Sequence, residues 1–125
     1  MSYDYSISID AGLIRENLEG DVSYEQIESG LLRLGNDDRF HPDLNSLVDM
    51  RDCNLDLDLA VLAKIQSIFE SVFKGGSGRT ALLVDSPKNT ALMMLFQKNA
   101  SVRTVALFST EEKALEWLRV PAAEV

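Results

Sequence analysis

Five aspartates, Asp49, Asp52, Asp56, Asp58 and Asp85, are the side chains here whose type and grouping most readily suggest chemistry. If Asp49 and Asp85 close neighbouring strands, their carboxylates converge beside Asp52 and offer oxygen ligands to a hard cation such as Mg²⁺. Such a centre would run phosphoryl chemistry with the metal as Lewis acid. It also needs a positioned cation or nucleophile, and Arg51 and Lys88 are the only basic groups nearby in sequence. The competing reading makes these acids solvated loop positions and helix caps, since a carboxylate at a helix start accepts first-turn N–H groups and suits the helix dipole.

The other candidates are weaker on mechanism. Lys74-Gly75-Gly76-Ser77-Gly78-Arg79 has the glycines of a phosphate loop. It follows a helix and precedes a strand, the reverse of the order that points helix N–H groups at an anion, so it reads as a helix stop. Cys53 is the only cysteine, which excludes an internal disulfide, and the neighbouring Asp49, Asp52 and Asp56 oppose its ionisation. His41, the only histidine, precedes Pro42 with no nucleophile linked to it in sequence. Met93, Met94, Leu95 and Phe96 either line a pocket for an apolar ligand or belong to a core helix.

The elements that must position these residues follow from periodicity. Tyr3, Tyr5, Ile7 and Ile9 alternate with polar residues as in a half-buried strand, and Ala11-Gly12 turns the chain into a weaker strand over Leu13 to Leu18, near an edge. Ser23-Tyr24-Glu25-Gln26 is a capping box, followed by Ile27, Leu31 and Leu34 at helical spacing up to Gly35. Residues 45–50 form a short buried strand, and the stretch from Asp49 to Asp58 reads as a polar turn. Asp56 or Asp58 caps a second helix whose stripe is Leu62, Ile65, Phe69, Val72 and Phe73. Residues 80–84 are nearly all apolar, as in a strand covered on both faces. Ser86-Pro87 opens a third helix, apolar on most sides over Ala91 to Phe96 and so expected to pack deeply. A strand over Val102 to Phe108, a second capping box at Ser109 to Glu112 and a helix ending by Pro121 complete the chain. Strands alternating with helices in this way predict an α/β fold with a mostly parallel sheet, in which functional groups collect at the carboxyl ends of the strands.

With 125 residues, the chain is read as one domain spanning 1–125. Twelve basic against twenty acidic residues give a net charge of −8, and the cations are scattered singly. That pattern argues against nucleic acid and anionic membranes as partners. No apolar stretch approaches the ~20 residues of a membrane span, and no basic segment followed by an apolar run opens the chain, so it reads as cytoplasmic. The edge of the first hairpin, with Tyr3 and Tyr5, is a template for pairing with a second copy, a homodimer.

Taken together, the Ile-containing hairpin, the Ser23-Tyr24-Glu25-Gln26 helix start, Leu47-Val48-Asp49-Met50-Arg51, Thr80-Ala81-Leu82-Leu83-Val84, and Val105-Ala106-Leu107-Phe108 followed by Glu112-Lys113-Ala114-Leu115-Glu116-Trp117-Leu118 resemble the SpoIIAA-like, or STAS/Sec14-type, bacterial family. The resemblance implies a four- or five-stranded mostly parallel sheet with an N-terminal hairpin and four helices. It also implies a relationship to anti-sigma-factor antagonists, which are regulatory switches that need no cofactor. In those relatives an Asp-Ser-[Ser/Thr]-Gly motif at the start of the second helix carries the phosphorylated Ser. The corresponding stretch here, Asp52-Cys53-Asn54-Leu55-Asp56-Leu57-Asp58, has no Ser or Thr, so that switch is not carried over. Asp56 or Asp58 stands either as a fixed negative charge at that place or as a plain cap. The expectation is a noncatalytic module docking a protein through Asp52, Asp56 and Asp58, with Cys53 in the same stretch. The alternatives are a Mg²⁺-dependent enzyme using Asp49, Asp52 and Asp85, or a Sec14-like carrier of a small apolar ligand.

Overall fold

The computed structural model describes residues 2–120; the predicted stop at Pro121 lies outside them. The first alternating segment is β1 (Ser2–Ser8), paired antiparallel with β2 (Leu13–Val22). Ile9, expected on the strand, sits in the turn instead and is exposed, while Gly12 at φ +64° closes that turn by donating to the Ile9 carbonyl at 3.1 Å. The remaining elements are α1 (Tyr24–Gly35), β3 (Asn45–Leu55), α2 (Leu59–Phe73), β4 (Thr80–Leu83), α3 (Pro87–Asn99), β5 (Val105–Phe108) and α4 (Glu111–Leu118). The strands lie in chain order, β1-β2-β3-β4-β5, and every pair after the first is parallel. β2 is thus one strand in from the edge, which β1 forms.

Two apolar layers hold the sheet. On one face Ile14, Leu18, Val48 and Leu82 pack under Ile27, Leu31 and Leu34 of α1, Leu62, Ile65, Phe69 and Phe73 of α2, and Met93 and Phe96 of α3. On the other face Leu13, Leu47, Ala81 and Leu83 pack against Ala114 and Leu118 of α4. The alternation of inward positions along β2 and β3 is what gives the sheet two apolar faces. The capping box forms as read, with the Ser23 hydroxyl accepting from Gln26 N and the Gln26 side chain accepting from Ser23 N.

Four expectations need correction. The stretch after Asp49 is not a turn: β3 runs on to Leu55, pairing Gly20 with Cys53 and Val22 with Leu55. A bulge makes this possible, because between Asn17–Asp49 and Glu19–Asp52 β3 spends one residue more than β2. The bulge shifts the inward positions from Val48 and Met50 to Cys53 and Leu55, so no single period runs through the strand. Helix α3 buries Met93 and Phe96 but leaves Met94 and Leu95 59% and 40% exposed, since it packs with one face only. The last strand begins at Val105 rather than Val102, because the Val102 N–H is held by Glu70 (2.9 Å) and Arg103 is drawn away to the loop before β3. The start of α4 is a plain cap rather than a box: Thr110 accepts from Lys113 N, and a lysine in that position has nothing to return.

Candidate functional site

The carboxyl ends of the parallel strands converge on the segment joining β3 to α2. Beyond Asp49, β3 has no β4 residue beside it, because β4 ends at Leu83. Asn89, fully buried in the first turn of α3, stands in for the missing strand. Its Nδ2 donates to the Cys53 carbonyl at 2.9 Å and its Oδ1 accepts from Leu55 N at 3.3 Å. This anchor holds the backbone while Asp52, Asn54 and Asp56 face solvent. Asn54 is tied on both sides, donating to Asp21 (3.1 Å) and accepting from Lys88 (3.2 Å). Asp58 is the N-cap of α2 and accepts from Val61 N at 2.8 Å, which settles its local role as a cap.

Asp52, Asp56 and Asp58 are all exposed, and none takes part in an ion pair among the described residues. Leu59 follows directly, 67% exposed at the first position of α2. It borders a groove between α2 and α3 whose other walls are Leu62, Ala63, Gln66, Leu95 and Asn99. The groove thus begins at Leu59, directly after Asp58 in the chain.

The carboxylates of the magnesium alternative are not brought together. Asp49 is held in a fork by Arg51 at 3.0 and 2.8 Å, and that hydrogen bonding keeps its carboxyl below the usual carboxylate range. Arg51 also lies 3.9 Å from Glu111, which pairs with Arg15, so this group of charges ties the first turn of α4 to the sheet. Asp52 and Asp85 are exposed, and no cluster of three metal-ligating side chains occurs among the described residues.

Cys53 differs from the acids in its burial. It is half-buried against the main core, its thiol donates to the Met50 carbonyl (3.4 Å), and burial pushes its pKa to about 11. His41 lies in an exposed loop and accepts from Asp43 N at 3.2 Å. In the glycine-rich loop the Ser77 N–H is already taken by the Asp43 carboxylate at 2.9 Å, and Cβ atoms on Gly76 or Gly78 would collide with the backbone at Pro42 and Leu44. Those glycines serve close packing.

Sequence reasoning passed over one pair of residues. Glu16, 3% exposed, points into the main core from the middle of β2 and accepts a hydrogen bond from the Tyr3 hydroxyl. Both border a cavity of about 60 Å³ whose remaining walls are apolar, among them Met50, Leu57, Met93 and Phe96. Burial raises the Glu16 carboxyl to about 7, against the opposing pull of Tyr3 and Arg103, and pushes the Tyr3 hydroxyl well above its usual range. Gly30 makes the pair possible, because the Tyr3 ring occupies the space of the side chain that α1 lacks there. The signal was in the sequence: Ile14, Glu16 and Leu18 share one face of a strand, which places a carboxylate inward.

No family model and no curated protein matches the sequence. Solved structures do. An uncharacterised DUF3478-family protein with a SpoIIAA-like fold from Shewanella loihica PV-4 superposes with a TM-score of 0.61 at 18% identity, over 94% of this chain and 92% of its own. The anti-sigma factor antagonist SpoIIAA in its unphosphorylated form superposes with a TM-score of 0.55 at 16% identity, over 94% and 98%. The chain has the SpoIIAA-like fold: an α/β architecture with a five-stranded, mostly parallel sheet and four helices. No helix among the described residues is long and apolar enough to cross a membrane.

Proposed function

We propose that this protein is a noncatalytic regulatory module that docks a protein partner through the end of β3 and the start of α2. The observation that carries the reading is Leu59, a large apolar side chain left 67% exposed directly after Asp58, in a segment where Asp52, Asp56 and Asp58 are exposed and have no ion-pair partner among the described residues. Burying one leucine contributes about 2 kcal/mol, and apolar anchors of this kind, ringed by polar groups, dominate protein interfaces. The acidic rim, on a chain of net charge −8, selects a partner that surrounds its apolar contact with lysines or arginines. The likeness to an anti-sigma factor antagonist supports a regulatory role for the same fold. Phosphorylation at the start of α2 has no hydroxyl to act on between Asp52 and Asp58, so docking here is set by fixed charge.

The test is quantitative capture from source-cell lysate. Wild type is compared with Leu59→Asp and with Asp52→Lys/Asp56→Lys/Asp58→Asn, the last change keeping a capping oxygen for Val61. A protein held in stoichiometric amount by wild type and lost from both variants, each with native circular dichroism, supports the reading. Equal retention by all three contradicts it.

A further inference from the structure

We infer that the cavity beneath Tyr3 and Glu16 is a binding site for a small neutral amphiphile, a hydroxyl-bearing molecule of about two carbons. The argument begins with the unequal lining. Of the fifteen residues around the cavity, only Tyr3 and Glu16 bring polar side-chain atoms; the rest are Leu, Ile, Val, Met and Phe. A space of about 60 Å³ exceeds what one water needs, roughly 10–15 Å³, and is under half of the ~150 Å³ that admits benzene. Its occupant is therefore a molecule of a few heavy atoms, and an acyl chain of lipid length does not fit.

Glu16 supplies the recognition. The one hydrogen bond it receives among the described residues is from the Tyr3 hydroxyl, on Oε1. Its second oxygen remains available inside an apolar wall, where an unmet carboxyl is costly and a matching partner is correspondingly favoured. Titrating near neutrality, the group offers a donor when protonated and an acceptor when ionised, and an alcohol answers either form. An ammonium head would have to leave water with a single carboxylate in compensation, which the low-dielectric surroundings disfavour. A purely apolar molecule of the same size would leave Glu16 without its second partner. Leu57, half-buried, forms part of the wall.

The test uses the whole chain with ¹³C-labelled methionine methyls and ¹³C-labelled glutamate carboxyls, titrated with ethanol. The Met50 and Met93 methyls, which line the cavity, are expected to shift saturably, and the Glu16 carboxyl with them, while exposed Met94 stays in place. Glu16→Gln retains binding, because an amide both donates and accepts. Glu16→Leu weakens it by about tenfold, the loss expected for one hydrogen-bonded head group. No saturable change at Met50 and Met93 would overturn the inference and leave water as the only occupant. Methionine shifts with an unmoved Glu16 carboxyl, or undiminished affinity in Glu16→Leu, would overturn the role of Glu16. Stronger binding of ethylammonium than of ethanol would overturn the neutral class of ligand.

Discussion

The two ends of the parallel strands treat polar side chains in opposite ways. At the amino end, charge is spent inside the molecule. Arg103, 7% exposed, donates to the carbonyls of Pro42 (2.6 Å) and Leu44 (3.0 Å) and lies 4.0 Å over the Phe73 ring. Glu70 accepts from Ser101 N and Val102 N, Asp43 from Ser77 N, and Arg79 donates to the Trp117 carbonyl while covering its ring. These contacts join three loops and the end of α4, and pair backbone groups that would otherwise lack partners. At the carboxyl end Asn89 anchors the backbone where β4 has ended, and Asp52, Asp56 and Leu59 are left facing water. One end is closed by its own chemistry and the other keeps its chemistry available, which is why docking is proposed at the second.

The largest expected effect is at the closed end. Arg103→Met keeps an apolar stem over Phe73 but strands two carbonyls, so urea unfolding should show a loss of about 3 kcal/mol or more. Partner capture by the folded fraction should be unchanged. A variant as stable as wild type would show that the clamp is dispensable.

Glu16→Gln produces the next effect, and its sign depends on pH. Burial raises the Glu16 pKa from 4.5 to about 7, so between those values the folded chain binds more protons than the unfolded one. Stability therefore falls as pH rises through that window and reaches its full penalty above it, by about 3 kcal/mol. Unfolding at about pH 8 should find Glu16→Gln more stable by a similar amount, and the advantage should vanish near pH 4. Parallel pH profiles for the two proteins would contradict the burial argument.

Asn89→Ala removes the stand-in strand. A loss of about 2 kcal/mol is expected for unpairing the Cys53 carbonyl and the Leu55 N–H, together with faster hydrogen exchange at Leu55. Asp58→Ala should cost about 1 kcal/mol as a lost cap, and Asp58→Asn much less.

These contrasts also explain what could be read from the chain. Local signals were legible: the Ser23 box, the apolar run before Asp85 and the Ser86-Pro87 helix start each depend on residues within a few positions. The second half of β3 was not, since its hydrogen bonds come from β2 across a bulge and from Asn89, 34 residues beyond Leu55. Arg103 was hidden for a similar reason, because its acceptors at Pro42 and Leu44 lie about sixty residues earlier. For the candidate site, the sequence proposed Asp52, Asp56 and Asp58 with Cys53 in the same stretch; the three acids are exposed and Cys53 is half-buried. It missed Leu59, because an apolar residue at a helix start looks like core until the neighbouring helix leaves it uncovered.

The smallest change in stability accompanies the most direct test of the docking account. Asp56→Lys alters a solvated carboxylate with no ion-pair partner among the described residues, so unfolding should move by no more than about 0.5 kcal/mol. Combined with Leu59→Asp, it should abolish capture of the partner that wild type holds, with the circular dichroism spectrum unchanged. Full capture by this double variant would contradict the assignment of the β3–α2 junction as the docking surface.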